Sequence, residues 1–174
     1  MIAPPTIDGP AVLGVVGLPE VVASSLSPRM MRAAFEAWGI DAHYVPLAVR
    51  PDDLERSLRS LAGLGFRGCN VTMPYKEAAA AVADTCSARV EQTGVANTLV
   101  VTPHGRLHAE ATDGIALTAA PAARTVDLRG GRGVLLGAGG VAMEAALALV
   151  GAGIARLDIW NRTPQRAEEL AARL

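Results

Sequence analysis

The segment Asn70 to Lys76 combines polar side chains with the only lysine of the chain. The other basic residues are arginines, which keep their proton near neutral pH, whereas a lysine can exchange its proton in a suitable environment. On this count alone, chance composition is the favoured explanation of a single lysine. The apolar run before Lys76 and the helical pattern after it place this residue in a first helical turn, where the helix dipole disfavours a positive charge. A lysine so placed could act as a general acid or base.

Further polar residues stand where strands or turns are predicted to end. Asn70 and Thr72 lie at the carboxyl end of an apolar strand, the usual ligand-binding edge of an open α/β sheet. Asn97 and Asp113 occupy turn-like segments, GVANT and ATDG. Each could equally be a turn or capping residue, and Asp113 taken alone is more typical of a helix N-cap than of a catalyst.

A glycine-rich turn, Gly137-Ala138-Gly139-Gly140-Val141-Ala142, fits the pattern G-x-G-x-x-A. Gly137 permits a tight turn, Gly139 lets the backbone approach a pyrophosphate, and the small Ala142 lets helix and strand pack closely. The turn follows the strand GVLL and precedes a helix and a second strand, ARLDIW, which is the order that a dinucleotide site requires. The sequence therefore predicts a nicotinamide-dinucleotide site.

The residues after the second strand bear on the choice of cofactor. An acidic residue at that point would bind the ribose hydroxyls of NAD, but this chain has Asn161, Arg162 and Thr163, with Arg166 one turn on. Two guanidinium groups and a hydroxyl suit a 2′-phosphate, so NADP is the predicted cofactor. The alternative is that Thr163 caps the helix beginning at Pro164 and both arginines are solvated, which is compatible with phosphate binding.

Apolar runs alternate with helical patterns along the chain. Strands are predicted at 11–17, 43–49 and 66–73, with helices after Ser27, from about Pro51 to Leu64, over 76–83 and over 87–93. The runs TLVVT and RLHAEAT flank the turn Pro103-His104-Gly105 and form a hairpin or a sheet edge. The fold class is α/β, with a mixed or largely parallel sheet in a substrate domain, 1–124, followed by the beginning of a Rossmann-type domain, 125–174.

Composition excludes several classes of protein. The chain has 174 residues, 51% hydrophobic content and a net charge of −1, so it can bury a core and lacks the basic excess of a nucleic-acid-binding protein. It contains no apolar run long enough to cross a bilayer and no signal-peptide pattern, so a cytoplasmic location is expected. Cys69 and Cys86 lack metal-ligand spacing and are too few for a disulfide framework. No metal site is predicted.

The ordered motifs together resemble the shikimate dehydrogenase family over about 14–174. The motifs are SLSP from Ser25, NVTMPYK, Asp84-x-x-Ser87, GVANT, TDG, the GAGG turn and NRTPQR. The resemblance implies an NADP-dependent oxidoreductase that interconverts shikimate and 3-dehydroshikimate in aromatic amino-acid biosynthesis. A homodimer is compatible with it.

The resemblance also implies a role for each matching residue. Ser25 and Ser27 bind the substrate carboxylate, although Ser27 is also predicted to cap the helix that contains Pro28. Thr72 and Asn97 surround the ring hydroxyls. Lys76 and Asp113 match the catalytic pair: a lysine oriented by a carboxylate can take the hydroxyl proton while hydride passes to the nicotinamide.

Two departures from the family pattern leave alternatives open. Ala111 replaces the asparagine usual before Thr-Asp and cannot hydrogen-bond a hydroxyl, so quinate or an aminated analogue is an alternative substrate. From Gly133 onward there are 42 residues, fewer than a doubly wound domain of about six strands needs, so the cofactor domain is expected to be incomplete. A non-catalytic ligand-binding module is the remaining alternative.

Overall fold

The computed structural model describes residues 9–123 and 126–174, which form two compact units. Unit 1 ends at Glu110 and unit 2 is Ala111–Leu174. The predicted boundary between 124 and 125 lies outside the described residues. The boundary between the two compact units lies earlier in the chain, after Glu110, because the helix that begins at Asp113 packs against a later helix of unit 2.

Unit 1 contains a six-stranded mixed sheet, as predicted. Its strands are β1 Ala11–Gly17, β2 Ala42–Ala48, β3 Phe66–Val71, β4 Thr85–Cys86, β5 Thr98–Val101 and β6 Leu107–Glu110, in the spatial order β2-β1-β3-β5-β6-β4. Strands β1, β2 and β3 are mutually parallel, while β5 runs antiparallel to both β3 and β6. The β5–β6 pair confirms the predicted hairpin.

Five helices of unit 1 connect these strands within the described range 9–110. They are α1 Pro19–Ala23, α2 Ser27–Trp38, α3 Leu54–Ser60, α4 Lys76–Val82 and α5 Ala88–Thr93. A short 3-10 turn, Pro51–Asp53, precedes α3, so the helix predicted from Pro51 to Leu64 is divided and shorter. Helix α4 begins at Lys76, which confirms the first-turn position of this residue.

The sheet and its helices bury an apolar core in unit 1. Val16, Leu58 and Leu99 are fully enclosed, and a cluster around Val15 and Phe35 packs α2 against β1 and β2. Burial of this kind supplies most of the free energy that holds the sheet edge in place.

Unit 2 has a two-stranded parallel sheet, β7 Arg132–Leu136 and β8 Arg156–Trp160, within its described residues. Its helices are α6 Asp113–Ala123, α7 Ala142–Gly151 and α8 Pro164–Ala172. Ala142, Met143, Ala146 and Leu170 form the core between α7, α8 and one face of the sheet. The predicted order of strand, glycine-rich turn, helix and second strand is confirmed.

Within the described ranges, no helix has both the length and the apolar character needed to cross a bilayer.

Candidate functional site

Three of the predicted site residues meet at one edge of the unit 1 sheet. Thr72 follows β3, Lys76 opens α4, and Asn97 immediately precedes β5. Because β5 is antiparallel to β3, its first residue, Thr98, lies beside Asn70 near the end of β3. The Val71 N–H donates to the Asn97 carbonyl at 2.8 Å. The antiparallel pairing thus brings segments far apart in sequence to the edge predicted for ligand binding.

The backbone around Lys76 is held from two sides. The Lys76 carbonyl accepts a hydrogen bond from Ala96 N–H at 2.9 Å. Tyr75, which is 4% exposed, donates its hydroxyl to the Val49 carbonyl at 2.8 Å, next to the end of β2. The first turn of α4 is therefore fixed to both neighbouring segments, and Lys76 itself is half-buried. Sequence reasoning did not single out Tyr75, although it is one of only two tyrosines in the chain.

Thr72 lies directly against the end of β1. Its N–H donates to the Val16 carbonyl at 3.0 Å, and a Cβ built on Gly17 would approach the Thr72 methyl carbon to 2.6 Å. A side chain at position 17 would displace Thr72, so glycine is required there. Thr72 remains half-buried, and a ligand at this edge can reach it.

A buried polar network fixes Asn97. The Tyr44 hydroxyl donates to Asn70 Oδ1 at 2.6 Å, and Asn70 Nδ2 donates to Thr98 Oγ1 at 3.0 Å and to the Asn97 carbonyl at 3.4 Å. Thr98 Oγ1 in turn donates to Asn97 Oδ1 at 3.2 Å. The side chain of Asn70, predicted to face a ligand, is thus used inside the sheet, where it orients Asn97.

Burial changes the acid–base behaviour of two groups beside this network. It raises the pKa of the Tyr44 hydroxyl to about 12, with a smaller contribution from the Cys69 thiol. Burial likewise raises the pKa of the Cys69 thiol to about 12. Both groups therefore stay neutral at physiological pH.

Ser25 lies between α1 and α2, Ser27 is the first residue of α2, and both serines are half-buried. Helix α2 begins at Ser27 itself, with Leu26 at the capping position, so the prediction that Ser27 caps this helix is wrong. Ser25 Oγ instead accepts a hydrogen bond from the Ser27 N–H at 3.2 Å. Pro28, which has no N–H to donate, follows Ser27 as the second helical residue.

Asp113 belongs to unit 2, as the first residue of α6. It is half-buried, and the Ala116 N–H donates to the carbonyl of Thr112, the residue before the helix. The position before the first helical residue, where an N-cap stands, is therefore held by Thr112 rather than by Asp113.

The glycine-rich turn of unit 2 has the backbone expected of a dinucleotide site. Gly137 adopts φ +114°, which favours glycine, and donates its N–H to the Trp160 carbonyl at 2.7 Å. A Cβ built on Gly139 or Gly140 meets no atom of the described residues within 4 Å. Internal packing therefore does not require glycine at these two positions, whereas close approach of a pyrophosphate does. Ala142 packs in the core of the unit, as predicted.

Asn161 joins the turn to the segment after β8. Its Oδ1 accepts the Ala138 N–H at 3.1 Å, and its Nδ2 donates to the Thr163 carbonyl at 2.8 Å. Thr163 occupies the N-cap position of α8, as the alternative interpretation predicted, yet over the described residues its hydroxyl forms no capping hydrogen bond. The side chain of Thr163 can therefore still bind a phosphate.

Arg162 and Arg166 are both exposed. In the part of the chain that the structure describes, neither guanidinium lies within ion-pair distance of a carboxylate. The carboxylate of β8, Asp158, is instead paired with Arg156 at 2.9 Å. Two such guanidinium groups close to one helix start give unit 2 a positive region suited to a phosphate.

Comparisons with known proteins identify the family. A family model described as the shikimate dehydrogenase substrate binding domain matches residues 15–99, and one described as shikimate / quinate 5-dehydrogenase matches residues 120–174. The NADP(+) shikimate dehydrogenase of Rubrobacter xylanophilus is 43% identical over 171 residues, which cover 98% of this chain and 60% of that protein. The chain belongs to the shikimate dehydrogenase family and spans about 60% of the length of such relatives.

Solved structures agree. Shikimate 5-dehydrogenase from Thermus thermophilus, in complex with NADP(H) and shikimate, matches with a TM-score of 0.85 and 38% identity over 94% of this chain and 60% of that one. A 5-ketofructose reductase of a Gluconobacter strain matches with a TM-score of 0.86 and 28% identity over 95% of this chain and 58% of that one. The fold therefore also occurs in a protein named for a different substrate.

Proposed function

We propose that the natural protein carrying this chain is an NADP-dependent shikimate dehydrogenase, which interconverts shikimate and 3-dehydroshikimate. The observation that carries the proposal is the sheet edge of unit 1, where Thr72, Lys76 and Asn97 are held together by strand pairing and a buried polar network. Family membership supplies the substrate class. The relative from Rubrobacter xylanophilus is named as an NADP(+) shikimate dehydrogenase.

Lys76 and Asp113 form the acid–base pair in this proposal. Oxidation of a secondary alcohol releases a proton from the hydroxyl and a hydride from the carbon. The Lys76 amine takes the proton, and the Asp113 carboxylate orients the amine. This pair is the one that the resemblance to the family implies.

The polar residues of unit 1 bind the substrate. Ser25 and Ser27 present two hydroxyls to its carboxylate, while Thr72 and Asn97 bond the ring hydroxyls. The fixed position of Asn97 favours this role, since a side chain held by neighbours loses little entropy on binding.

NADP is the cofactor that the residues of unit 2 fit. The open side of Gly139 and Gly140 accepts the pyrophosphate, and Arg162, Thr163 and Arg166 bind the 2′-phosphate. When bound, NADP accepts the hydride of the alcohol. The internal bonds of Asn161 support a role in holding the turn open for the pyrophosphate.

The test of the proposal is shikimate-dependent NADPH formation by the natural protein and by its Lys76→Ala variant. We expect kcat to fall about 10²–10⁴-fold, which is the contribution of general acid–base catalysis. Glu77→Ala, at the exposed neighbouring position of the same helical turn, is the control and retains activity. Near-normal turnover of Lys76→Ala would reject the proposed base.

A paralogous activity on quinate or an aminated analogue is the second candidate. It is favoured by Ala111, which is fully buried and has no polar side chain where the family commonly has asparagine. A panel of shikimate, quinate and amino analogues separates the two activities by kcat/KM. A clear preference for shikimate excludes the paralogue.

The remaining candidate is a non-catalytic module that binds a shikimate-like ligand without converting it. Calorimetry with shikimate and then with NADP tests this. Binding of shikimate alone supports a module, whereas turnover by the isolated chain rejects it.

A further inference from the structure

A buried carboxylate, Glu144, lies in the first turn of α7 and was not among the predicted site residues. It is 4% exposed, and its Oε2 accepts a hydrogen bond from the Gly114 N–H at 3.3 Å. Both residues belong to unit 2. Glu144 thus connects α7, which follows the glycine-rich turn, to the start of α6.

The proposed catalytic carboxylate, that of Asp113, lies at the start of α6. Asp113 is the first helical residue and Gly114 is the second. The first N–H groups of a helix have no partner within the helix, so a bond from another element both satisfies one of them and fixes the direction of the helix. Glu144 supplies that bond from α7.

The two helices also approach closely at this point. A Cβ built on Gly114 would lie 2.9 Å from the Glu144 carbonyl oxygen and 3.3 Å from the Ala148 Cβ. Any larger residue at position 114 would push α6 away from α7. The glycine of the TDG motif therefore has a packing function, and the position of Asp113 depends on this contact.

A carboxylate is an expensive side chain for this position. The neighbours of Glu144 along α7 are apolar, namely Met143, Ala145 and Ala146, and burying a charge among such groups costs free energy unless it is hydrogen-bonded. The positive end of the α6 dipole offsets part of the cost. Alanine would fill the same helix position without that cost, so the bond to α6 is a contribution that an apolar residue at position 144 could not make.

We propose that Glu144 is a positioning residue for the reaction: through Gly114 it fixes the Asp113 carboxylate relative to the glycine-rich turn that precedes α7. The inference rests on the proposed function, in which Asp113 orients the catalytic amine. A displacement of about 1 Å in such a group can lower the rate about 10²-fold.

The experiment compares Glu144→Ala and Glu144→Gln in the natural protein, by steady-state kinetics at saturating shikimate and NADP. Glutamine keeps an oxygen that can accept the Gly114 N–H, so we expect kcat within about threefold of wild type. Alanine removes the acceptor, and we expect kcat to fall at least about tenfold with a smaller change in either KM. Leu170→Ala, a core substitution in α8, is the control for lost stability alone and keeps kcat.

Two results would overturn the inference. One is a kcat for Glu144→Ala equal to that of Leu170→Ala at matched folded fractions. The other is an equal loss in the alanine and glutamine variants, since rescue by the conservative variant separates positioning from packing.

A wild-type protein without shikimate turnover would reject the proposed function and leave the hydrogen-bond role of Glu144 to be decided by amide hydrogen exchange. Faster exchange at Gly114 in Glu144→Ala but not in Leu170→Ala supports that role, and unchanged exchange rejects it.

Discussion

The two units hold their polar residues by different means. In unit 1, side chains fix side chains: Tyr44, Asn70 and Thr98 form a hydrogen-bonded network that ends on Asn97. In unit 2, the site depends on backbone conformation: Gly137 adopts a positive φ, and Gly139 and Gly140 have open space beside them. A site for a compact hydroxylated acid needs fixed side chains, whereas a site for a pyrophosphate needs accessible N–H groups.

The two sheets also differ in how completely their apolar side chains are buried. The six-stranded sheet of unit 1 encloses Val16 and Leu99 completely. In unit 2, α7 and α8 cover one face of the two-stranded sheet. On its strands, Val134, Leu136 and Trp160 are 62%, 82% and 67% exposed. The free energy of unfolding of unit 2 therefore rests on a smaller buried area.

The largest expected difference between the units is in the free energy of unfolding that each loses when a hydrogen-bonded asparagine is replaced. Asn70→Leu leaves the Tyr44 hydroxyl and Thr98 without their partner, so we expect the free energy of unfolding to fall by about 3 kcal/mol. Asn161→Leu is the matched change in unit 2, where Thr163, one partner of the amide, is exposed and water can replace the lost bond, so it should cost about 1 kcal/mol. Urea titration followed by circular dichroism measures both. Equal losses would show that the two asparagines are held alike.

A side chain in the glycine-rich turn should remove cofactor binding without unfolding unit 2. Gly139→Val places methyl groups where the pyrophosphate is proposed to lie, and we expect the Kd for NADP to rise about 100-fold, or about 2.7 kcal/mol. Gly151→Val, at the far end of α7, also adds a side chain in open space and is the control. Calorimetry with NADP measures the change. An unaltered Kd in Gly139→Val would place the cofactor elsewhere.

The double substitution Arg162→Ala/Arg166→Ala tests selectivity between cofactors. Loss of two cations that face the 2′-phosphate should raise the KM for NADP about tenfold and leave the KM for NAD nearly unchanged. Arg173→Ala, at the C-terminal end of α8, the helix that carries Arg166, is the control. A parallel rise in both KM values would mean that the arginines do not read the 2′-phosphate.

Alkaline pH should destabilise unit 1 through Cys69. Because the pKa of this thiol is about 12 in the folded state and about 9 when it is unfolded, its contribution to stability is complete below pH 9 and is lost as pH rises toward 12. We expect a loss of about 1 kcal/mol by about pH 9.5, measured by urea titration across pH. The pH dependence should weaken in Cys69→Ala and persist in Cys86→Ala.

Most of the fold follows from local patterns. Strand β1 matches its apolar run at both ends, and the helix predicted after the glycine-rich turn is α7, Ala142–Gly151. Helix α1 and strand β4 were not predicted, because five-residue and two-residue elements are determined by tertiary contacts rather than by periodicity. Strand β4 pairs with β6, and the Asp84 carboxylate before it accepts the Leu107 N–H at 2.8 Å.

The site was predictable where motifs are local and not where partners are distant. Lys76 and Gly137 could be placed from neighbouring residues. The partner of Asn70, Tyr44, lies 26 residues away, and no spacing rule reveals it. Glu144 did leave a signal, a single acidic residue in the apolar helix AMEAALALV, and a buried acidic side chain is a reason to look for a partner on another element.

Trp160, whose carbonyl accepts the Gly137 N–H, can also serve as a fluorescent reporter of the glycine-rich turn. The chain has two tryptophans, Trp38 at the end of α2 in unit 1 and Trp160 at the end of β8 in unit 2. With Trp38 replaced by phenylalanine, the remaining indole emission comes from the strand end that adjoins the dinucleotide turn. Fluorescence of that variant follows events at the turn, and the converse variant follows unit 1.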